Sequence, residues 1–590
     1  MTAILGLNVY HGDASAALVL DGVLVAAAEE ERFTRLKHVA GFPAHAAAWC
    51  LEDAGLSPAD LDHVAVGRDP RANLGAKVQQ TLRRLRNPTY VVQRLQNMAK
   101  VRDVRDDLAA ALGVDTDAFR AQFHNVEHHQ AHAASAFFVS PFDEAAILTV
   151  DGFGDFASCL LAVGRGDRME ILDRVVFPHS LGIFYTAITQ WLGFPKYGDE
   201  GKVMGLAPYG DADVHRARMH DLVRERGLYE LNLDYFTHAA HGVDMTWQAG
   251  VPTIGPVFSQ RVLDAFGAAR EPSGELTKHH EDVAGALQAV LEDVYLHTVR
   301  VAAERTGMRN LCLAGGVALN AVANGRIRPE TPFDGLYIQP AAGDNGIAIG
   351  AAYHVLHQTL GAARAFEMRH AYTGPEYTND ECGAALRAAG LESQLHDDDA
   401  LFPLVAERIA DGNVVGWFQG RMEFGPRALG NRSIVADPRR HDMKDVLNAR
   451  IKHREPFRPF APSILAERVG DWYDQDYPSP FMVLVYKTAP DKRERVPAVN
   501  HVDDTGRVQS VEAHVAPRYH RLISEFEKVT GVPIVLNTSF NENEPIVMTP
   551  SDALETFRKT KMDVLALGNY VLRRDSAKTT GSASASATNA

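Results

Sequence analysis

Apolar residues at the start of the chain fall in short blocks with the two-residue alternation of strands. Ile4 to Asn8 is one block, Ser15 to Leu20 a second and Val23 to Ala28 a third, and Asp21-Gly22 predicts a tight hairpin turn between the last two. The layout returns near residue 146, with a strand over Ile147 to Asp151, a turn at Gly152-Phe153-Gly154 and a strand over Ser158 to Val163. ILGLN with HGDASAAL lines up with ILTVD with GDFASCL, offset by one residue in the turn, which predicts two related α/β halves. Any two hairpins with apolar strands look alike, so the repeat stands as an expectation. Farther on, Val283, Leu287, Val290, Leu291 and Val294 keep helical spacing and predict a helix from His279 to Thr306 that Gly307 stops. Leu311 to Leu313 and Leu336 to Gln339 predict strands, and an apolar helix is expected from Ile347, after the turn GDNG at 343–346.

From about residue 362 the pattern loosens, with Thr373-Gly374-Pro375 and an acidic run at Asp397 to Asp399. The expected organisation is a first α/β domain over 1–365, a linker over 366–400, a second α/β block over 401–574 and a disordered tail over 575–590, where the residues are small and polar. Strands are expected at Val414 to Phe418 and Ile534 to Leu536. Thr549-Pro550-Ser551-Asp552 opens a helix with a hydroxyl cap, a first-position proline and an early acid.

Length agrees with this division, since 590 residues exceed one ordinary domain. The formal net charge of −15 speaks against a protein that coats nucleic acid, although a local basic pocket can still hold phosphates. No apolar run approaches the roughly 18–20 residues that span a bilayer, and the N-terminus lacks a signal-peptide layout. Cys50, Cys159, Cys312 and Cys382 show no paired spacing and read as reduced thiols. A cytoplasmic protein is expected, with no nucleic-acid or membrane partner.

Candidate chemistry gathers at four places. In EHHQAH (127–132), His128 and His132 stand at i, i+4, so on a helix both imidazoles share one face and can hold one metal ion. Asp151 at a strand end and Asp344 in a glycine turn would complete a mixed nitrogen and oxygen set suited to Fe(II) or Zn(II). A His-rich surface turn and two turn-capping aspartates are the competing explanation. LAGGVALN (313–320) and GDEGKVMGLAPYG (198–210) place glycines before helices, where free N–H groups attract phosphate, yet neither matches a phosphate-loop fingerprint. GRMEFGPRALGNRS (420–433) and ARIKHREPFRPFAPS (449–463) bring Arg421, Arg427, Arg432, Arg450, Lys452, Arg454 and Arg458 into a short span of an acidic chain. Arginine forks match phosphate oxygens. Surface salt bridges are the alternative, although the phenylalanines and prolines between the arginines are too apolar for a free surface. VLNTSFN (535–541) adds Asn537, Ser539 and Asn541 at a strand end.

Taken in order, HGDASAAL, AEEERFTRLKH, HHQAHAASAF, GKVMGLAPYG, AGGVALN, GDNGIAIGAA, GPRALGNRS, FRPFAPS and LNTSFN resemble the O-carbamoyltransferases of the nodulation-protein-U type, from residue 4 to about 573. The resemblance implies an N-terminal duplicated domain of the actin-like type, shared with heat-shock chaperone ATPases and tRNA threonylcarbamoyl-transferring enzymes. It also implies a C-terminal YrdC-like α/β domain, the type that makes threonylcarbamoyl-adenylate. The implied activity is ATP-dependent: carbamoyl-adenylate is made from carbamoyl phosphate and ATP, with Mg²⁺, and the carbamoyl group then passes to a hydroxyl of a small natural product, as in antibiotic biosynthesis.

By the same resemblance His128, His132, Asp151 and Asp344 match metal ligands, with Fe(II) the implied ion. His11 matches the base and Lys37 a group near the transfer. Lys202, Gly205, Gly315, Gly316 and Asn320 match the adenylate site. Arg427, Arg432, Lys452, Arg458, Arg507, Asn537 and Ser539 match the carbamoyl phosphate and ATP site. Relatives often read His-Asp-Ala-Ser where this chain has His-Gly-Asp-Ala-Ser, which leaves the placement of His11 to the structure. A tRNA threonylcarbamoyl-modifying enzyme and a non-catalytic actin-like nucleotide-binding regulator are the two alternatives. A homodimer is compatible with a large cytosolic enzyme.

Overall fold

A computed structural model describes residues 2–77, 104–243, 245–248 and 250–574. The tail expected over 575–590 lies outside the described residues. The chain divides into two units, one of Met1–Met368 with Phe424–Pro426, the other of Arg369–Glu423 with Arg427–Ala590.

The first unit contains two five-stranded sheets of one design. In the first, β1 (Ala3–Asn8), β2 (Ser15–Leu20) and β3 (Val23–Glu29) form an antiparallel meander, and β4 (His63–Val66) and β5 (Gln122–Asn125) add in parallel beyond β1. The second repeats this with β6 (Glu144–Gly154), β7 (Ala157–Arg165) and β8 (Arg168–Val176), followed by β9 (Asn310–Ala314) and β10 (Gly335–Ile338) in parallel beyond β6. Both sheets therefore run third-second-first-fourth-fifth, and the repeat suggested by two short sequence runs extends to whole sheets. The inner strands are buried on both faces, which is why they read as continuous apolar blocks.

The first hairpin turns at Asp21-Gly22, both with positive φ, as expected. The second does not turn at Gly152-Phe153-Gly154. β6 runs on through Gly154 with a register shift after Val150, and the turn falls at Asp155-Phe156, with φ of 46° and 76°. The bulge places Asp151 off the regular ladder. Three helices matter for the site: α1 (His128–Phe137), α2 (Lys278–Thr306) and α3 (Ile347–His354). α2 follows a capping box at Thr277 and ends at Gly307 in the left-handed conformation, one residue from its expected start and at its expected stop. α1 and α3 cross at Gly350, where a Cβ would overlap the Ala131 carbonyl oxygen.

The second unit carries one nine-stranded sheet. Its strands are β11 (Gln394–Leu395), β12 (Val415–Phe418), β13 (Arg432–Ala436), β14 (Ala461–Leu465), β15 (Leu484–Lys487), β16 (Thr505–Val511), β17 (Ile534–Ser539), β18 (Val564–Leu567) and β19 (Tyr570–Arg573). They lie in the order β11-β19-β18-β12-β13-β17-β14-β16-β15. The stretch read as a linker over 366–400 is instead structured. From Arg369 it belongs to the second unit and holds a helix, Asn379–Ala388, and β11. The Thr378 hydroxyl and the Glu381 carboxylate form a reciprocal cap there, which the composition of the stretch concealed. The helix expected at Thr549 spans Pro550–Lys559 behind a similar cap. All four cysteines are free and buried, and no helix among the described residues is long and apolar enough to cross a membrane.

Candidate functional site

Four elements converge in the first unit. Glu127 caps α1 by accepting from the Gln130 N–H, and the helix then presents His128 and His132 one turn apart, both buried. Gly154 admits the His128 ring, since a Cβ there would overlap the imidazole. Asp151 comes from the bulge of β6, steadied by the Gly316 N–H donating to its Oδ1 at 3.0 Å. Gly315 makes that approach possible, with φ of 93° and backbone packed on Val150. Asp344 opens the turn before α3, where Ser15 donates to the Asn345 carbonyl at 2.7 Å and the Asn345 amide donates to Glu29 at 3.3 Å.

His128 Nε2 lies 3.1 Å from Asp151 Oδ2 and 3.7 Å from Asp344 Oδ1, and His132 Nε2 lies 3.3 and 3.6 Å from the same two atoms. Four atoms each about 2.1 Å from one ion stand about 3.0–3.4 Å apart, so the set is close to coordination size. The buried His132 Nε2 makes no well-aligned hydrogen bond in spite of its nearness to Asp151. All four ligand atoms lie within 4.8 Å of one another, and the residues fit a divalent metal.

Burial opposes ionisation of Asp151, but the hydrogen bond with His128 and the nearness of His132 hold its carboxyl well below the usual range. Burial and the Asp151 charge push Asp344 up. His11 sits against this cluster, its Nδ1 4.0 Å from Asp344 Oδ2 and its ring 5.4 Å from that of His128. The added glycine therefore does not remove His11 from the site. Burial, then the charges of His128 and Arg68, hold the His11 pKa well below the ordinary value, so its imidazole is neutral.

Lys37 is exposed. Its neighbour His38, which the sequence reading passed over, joins Asp13 at 2.7 Å, and its backbone N–H donates to Glu31. Burial opposes protonation of His38, yet Asp13 and Glu31 raise its pKa to about 9. The unfolded value is near 6.5, so the stabilisation by this pair is complete below about pH 6.5 and disappears as pH rises through 9. The stability difference between the unaltered protein and His38→Gln, followed by denaturant midpoints against pH, is expected to shrink across that window. A difference constant from pH 6 to 10 would refute the ion pair.

The remaining adenylate candidates divide. Gly315 and Gly316 border Asp151. Gly205 is buried in the helix Glu200–Leu206, and Lys202 pairs with Asp199 at 2.9 Å. Asn320 is an internal pin, exchanging two hydrogen bonds with Gln288 and capping the helix Ala321–Gly325. Its amide is engaged on both sides, which assigns it to the framework.

In the second unit Arg427, Arg454, Arg458 and Arg507 gather into one cluster. Burial, then Arg458, lowers the Arg427 pKa to about 10; burial and Arg458 lower that of Arg454 to about 9. Arg507 is pushed well below the ordinary value by burial and by the other three. The buried Nε atoms of Arg427 and Arg507 have no hydrogen-bond partner among the described residues. Glu455 lies 3.8 Å from Arg458, and the clustering of four guanidiniums is of the kind that suits an anion. Arg507 lies on β16 two residues before Gln509, on the face where Ser463 donates to Gln509 at 2.6 Å and the Asn537 amide donates to both. This polar floor occupies Asn537 as a cross-strand link.

Two predicted clamp residues have other tasks. Arg432 is fully buried, lies 3.7 Å from the Phe418 ring centroid and donates to the carbonyls of Pro375, Gln419, Gly420, Asn431 and Met548. Lys452 Nζ is buried and donates to Ser539 and Asn541, and Ser539 Oγ donates to the Asn541 side chain. Their donors are satisfied by protein acceptors, so they shape loops. Arg454 takes a place in the cluster that the resemblance had not given it.

A carbamoyltransferase N-terminus family model matches residues 3–353 and a carbamoyltransferase C-terminus model matches residues 406–574. The chain belongs to the carbamoyltransferase family. It is 43% identical to an uncharacterized protein of Synechocystis over 97% of both chains. It is 39% identical to nodulation protein NolNO of Sinorhizobium fredii, over 97% of this chain and 80% of that one. Nodulation protein U of the same organism is 29% identical over 91% of this chain and 93% of its own length. Among solved structures, the activator of a 2-hydroxyisocaproyl-CoA dehydratase from Clostridium difficile aligns with 61% of this carbamoyltransferase and 96% of its own chain. That match has 14% identity and a TM-score of 0.31, a likeness too slight to add to the topology described above. The protein is a transferase, and the family supports carbamoyl transfer to a hydroxyl group.

Proposed function

We propose that this carbamoyltransferase works in two steps: in the second unit water cleaves carbamoyl phosphate to carbamate and phosphate, and the carbamate oxygen displaces pyrophosphate from Mg²⁺-ATP to give carbamoyl-adenylate; the first unit then passes the carbamoyl group to a hydroxyl of a small molecule and releases AMP. The observation that carries this reading is the four-arginine cluster of the second unit. A site for one neutral or singly charged substrate has no use for four converging guanidiniums. A site that brings a triphosphate and an acyl phosphate together must offset several negative charges. In this reading the second unit is of the YrdC-like, adenylate-forming type, and Arg427, Arg454, Arg458 and Arg507 bind phosphate oxygens.

In the first unit His128, His132, Asp151 and Asp344 would hold a divalent metal, Fe(II) in this proposal, which would polarise the adenylate as a Lewis acid. The protein's own groups do the rest. The acceptor oxygen forms a bond to the carbamoyl carbon, the bond from that carbon to the AMP phosphate oxygen breaks, and His11 takes the acceptor's proton. Neutral His11, closed in beside carboxylates and imidazoles, supports that role. Residues 315–316 border the place where the adenylate lies.

The test is pyrophosphate release by the full chain with Mg²⁺-ATP, with and without carbamoyl phosphate. Release that depends on carbamoyl phosphate is expected. Equal release without it, or none from folded, metal-loaded protein offered a mixture of alcohols, would overturn the adenylate step.

A further inference from the structure

We propose that the Tyr197 hydroxyl is a further catalytic group of the first unit, donating a hydrogen bond to the carbamoyl carbonyl oxygen during transfer. The proposal rests on the two-step reading and adds a residue that no motif singled out.

Tyr197 lies directly against the loop that carries His11. A Cβ on Gly12 would stand 2.9 Å from the phenol Cζ and 3.0 Å from its oxygen, so glycine is what admits the ring there. The other side of the ring meets His38 edge-on, with centroids 5.3 Å apart. His38 is in turn fixed by Asp13, and Gly198, in the left-handed region, lets the backbone close over the His38 Nε2. The ring is thus held between two neighbours, and a phenol has few rotamers left once its plane is fixed.

Its oxygen is treated differently. Among the described residues the Tyr197 hydroxyl has no hydrogen-bond partner, and the residue is half-buried. Burial, then the carboxylates of Asp344, Asp13, Asp151 and Glu200, hold the phenol far above its ordinary pKa. The oxygen lies 3.0 Å from where a Gly12 Cβ would stand, one residue along the chain from His11, whose ring is 5.4 Å from that of His128, and this puts the hydroxyl beside the reacting centre. Surrounded by negative charge, it remains a donor and does not become a phenolate.

A fixed donor of this kind is matched to an oxygen that gains negative charge. When the acceptor oxygen bonds to the carbamoyl carbon, the C=O electron pair shifts to the carbonyl oxygen and returns as the bond to AMP breaks. Tyr197 keeps its proton throughout, and the acceptor's proton goes to His11. Loss of one such donor commonly lowers turnover by about 10²–10³-fold.

Tyr197→Phe keeps the ring contacts with Gly12 and His38 and removes the hydroxyl alone. Pyrophosphate release, AMP release with methanol as the probe alcohol, and metal bound per chain would be measured on the full-length variant and the unaltered protein. The expected result is an AMP-release kcat lower by about 10²-fold, with pyrophosphate release, metal content and the methanol KM unchanged. AMP release at the unaltered rate would overturn the proposal. A parallel fall in metal content or pyrophosphate release would also overturn it, by showing a structural role. Unaltered protein that releases no pyrophosphate on addition of carbamoyl phosphate would refute the two-step reading itself. If it releases pyrophosphate but no AMP, the transfer role of the first unit falls, and the assignment of Tyr197 with it.

Discussion

Arg507→Met is expected to unfold at a higher temperature than the unaltered carbamoyltransferase and to lose carbamoyl-phosphate-dependent pyrophosphate release. In the ligand-free protein the Arg507 guanidinium is held among three other cations, and burial and those charges both disfavour its ionised form. A methionine of similar length fills the space without charge and relieves both penalties. A gain of about 1 kcal/mol, or about 2 °C in Tm for a domain of this size, is expected. The same change removes a charge-assisted fork from the anion site, worth about 1.5–3 kcal/mol, so activity should fall at least tenfold. Calorimetry with and without pyrophosphate separates the two effects. Added pyrophosphate should raise the Tm of the unaltered protein more than that of the variant. A variant that melts lower than the unaltered protein without ligand would show that Arg507 serves the framework.

His128→Ala should have the opposite distribution of effects. The Asp151 carboxyl loses a partner at 3.1 Å, and the ligand set falls from four to three. Metal bound per chain should drop to near zero and AMP release with a probe alcohol should fall by 10²-fold or more, in the range seen when an electrostatic stabiliser is lost. Carbamoyl-phosphate-dependent pyrophosphate release should persist, because Arg427, Arg454, Arg458 and Arg507 belong to the other unit. If both activities disappear from a folded variant, the division of labour is wrong. Elemental analysis and circular dichroism on the same sample distinguish lost metal from lost fold.

The strands of the first unit were legible because two-sided burial leaves an apolar block that glycine and aspartate turns punctuate. β1, β2 and the hairpin at Asp21-Gly22 follow from that alone. The second hairpin turns later than its glycines suggest, because Gly154 looks like a turn residue whereas its small size admits the His128 ring. His128 and His132 announce themselves by spacing, and Asp151 and Asp344 by glycine neighbours. Tyr197, Arg68 and His38 have no such signature, because they reach the site through turns between elements and not through periodicity. Arg432 shows the reverse error. In the sequence it is one more arginine in a basic run, and only its five carbonyl partners reveal that its charge holds the chain together.

The metal set joins α1, the bulge of β6 and the turn before α3, which are separated by roughly two hundred residues of chain between the first ligand and the last. An ion seated there acts as a staple between the two halves of the duplicated unit, closing in the folded state a loop that the unfolded chain leaves open. Cofactor loading and mechanical integrity of the first unit are therefore one equilibrium. Metal depletion would then leave this half of the protein more open to proteases, while the arginine-bearing half kept its shape.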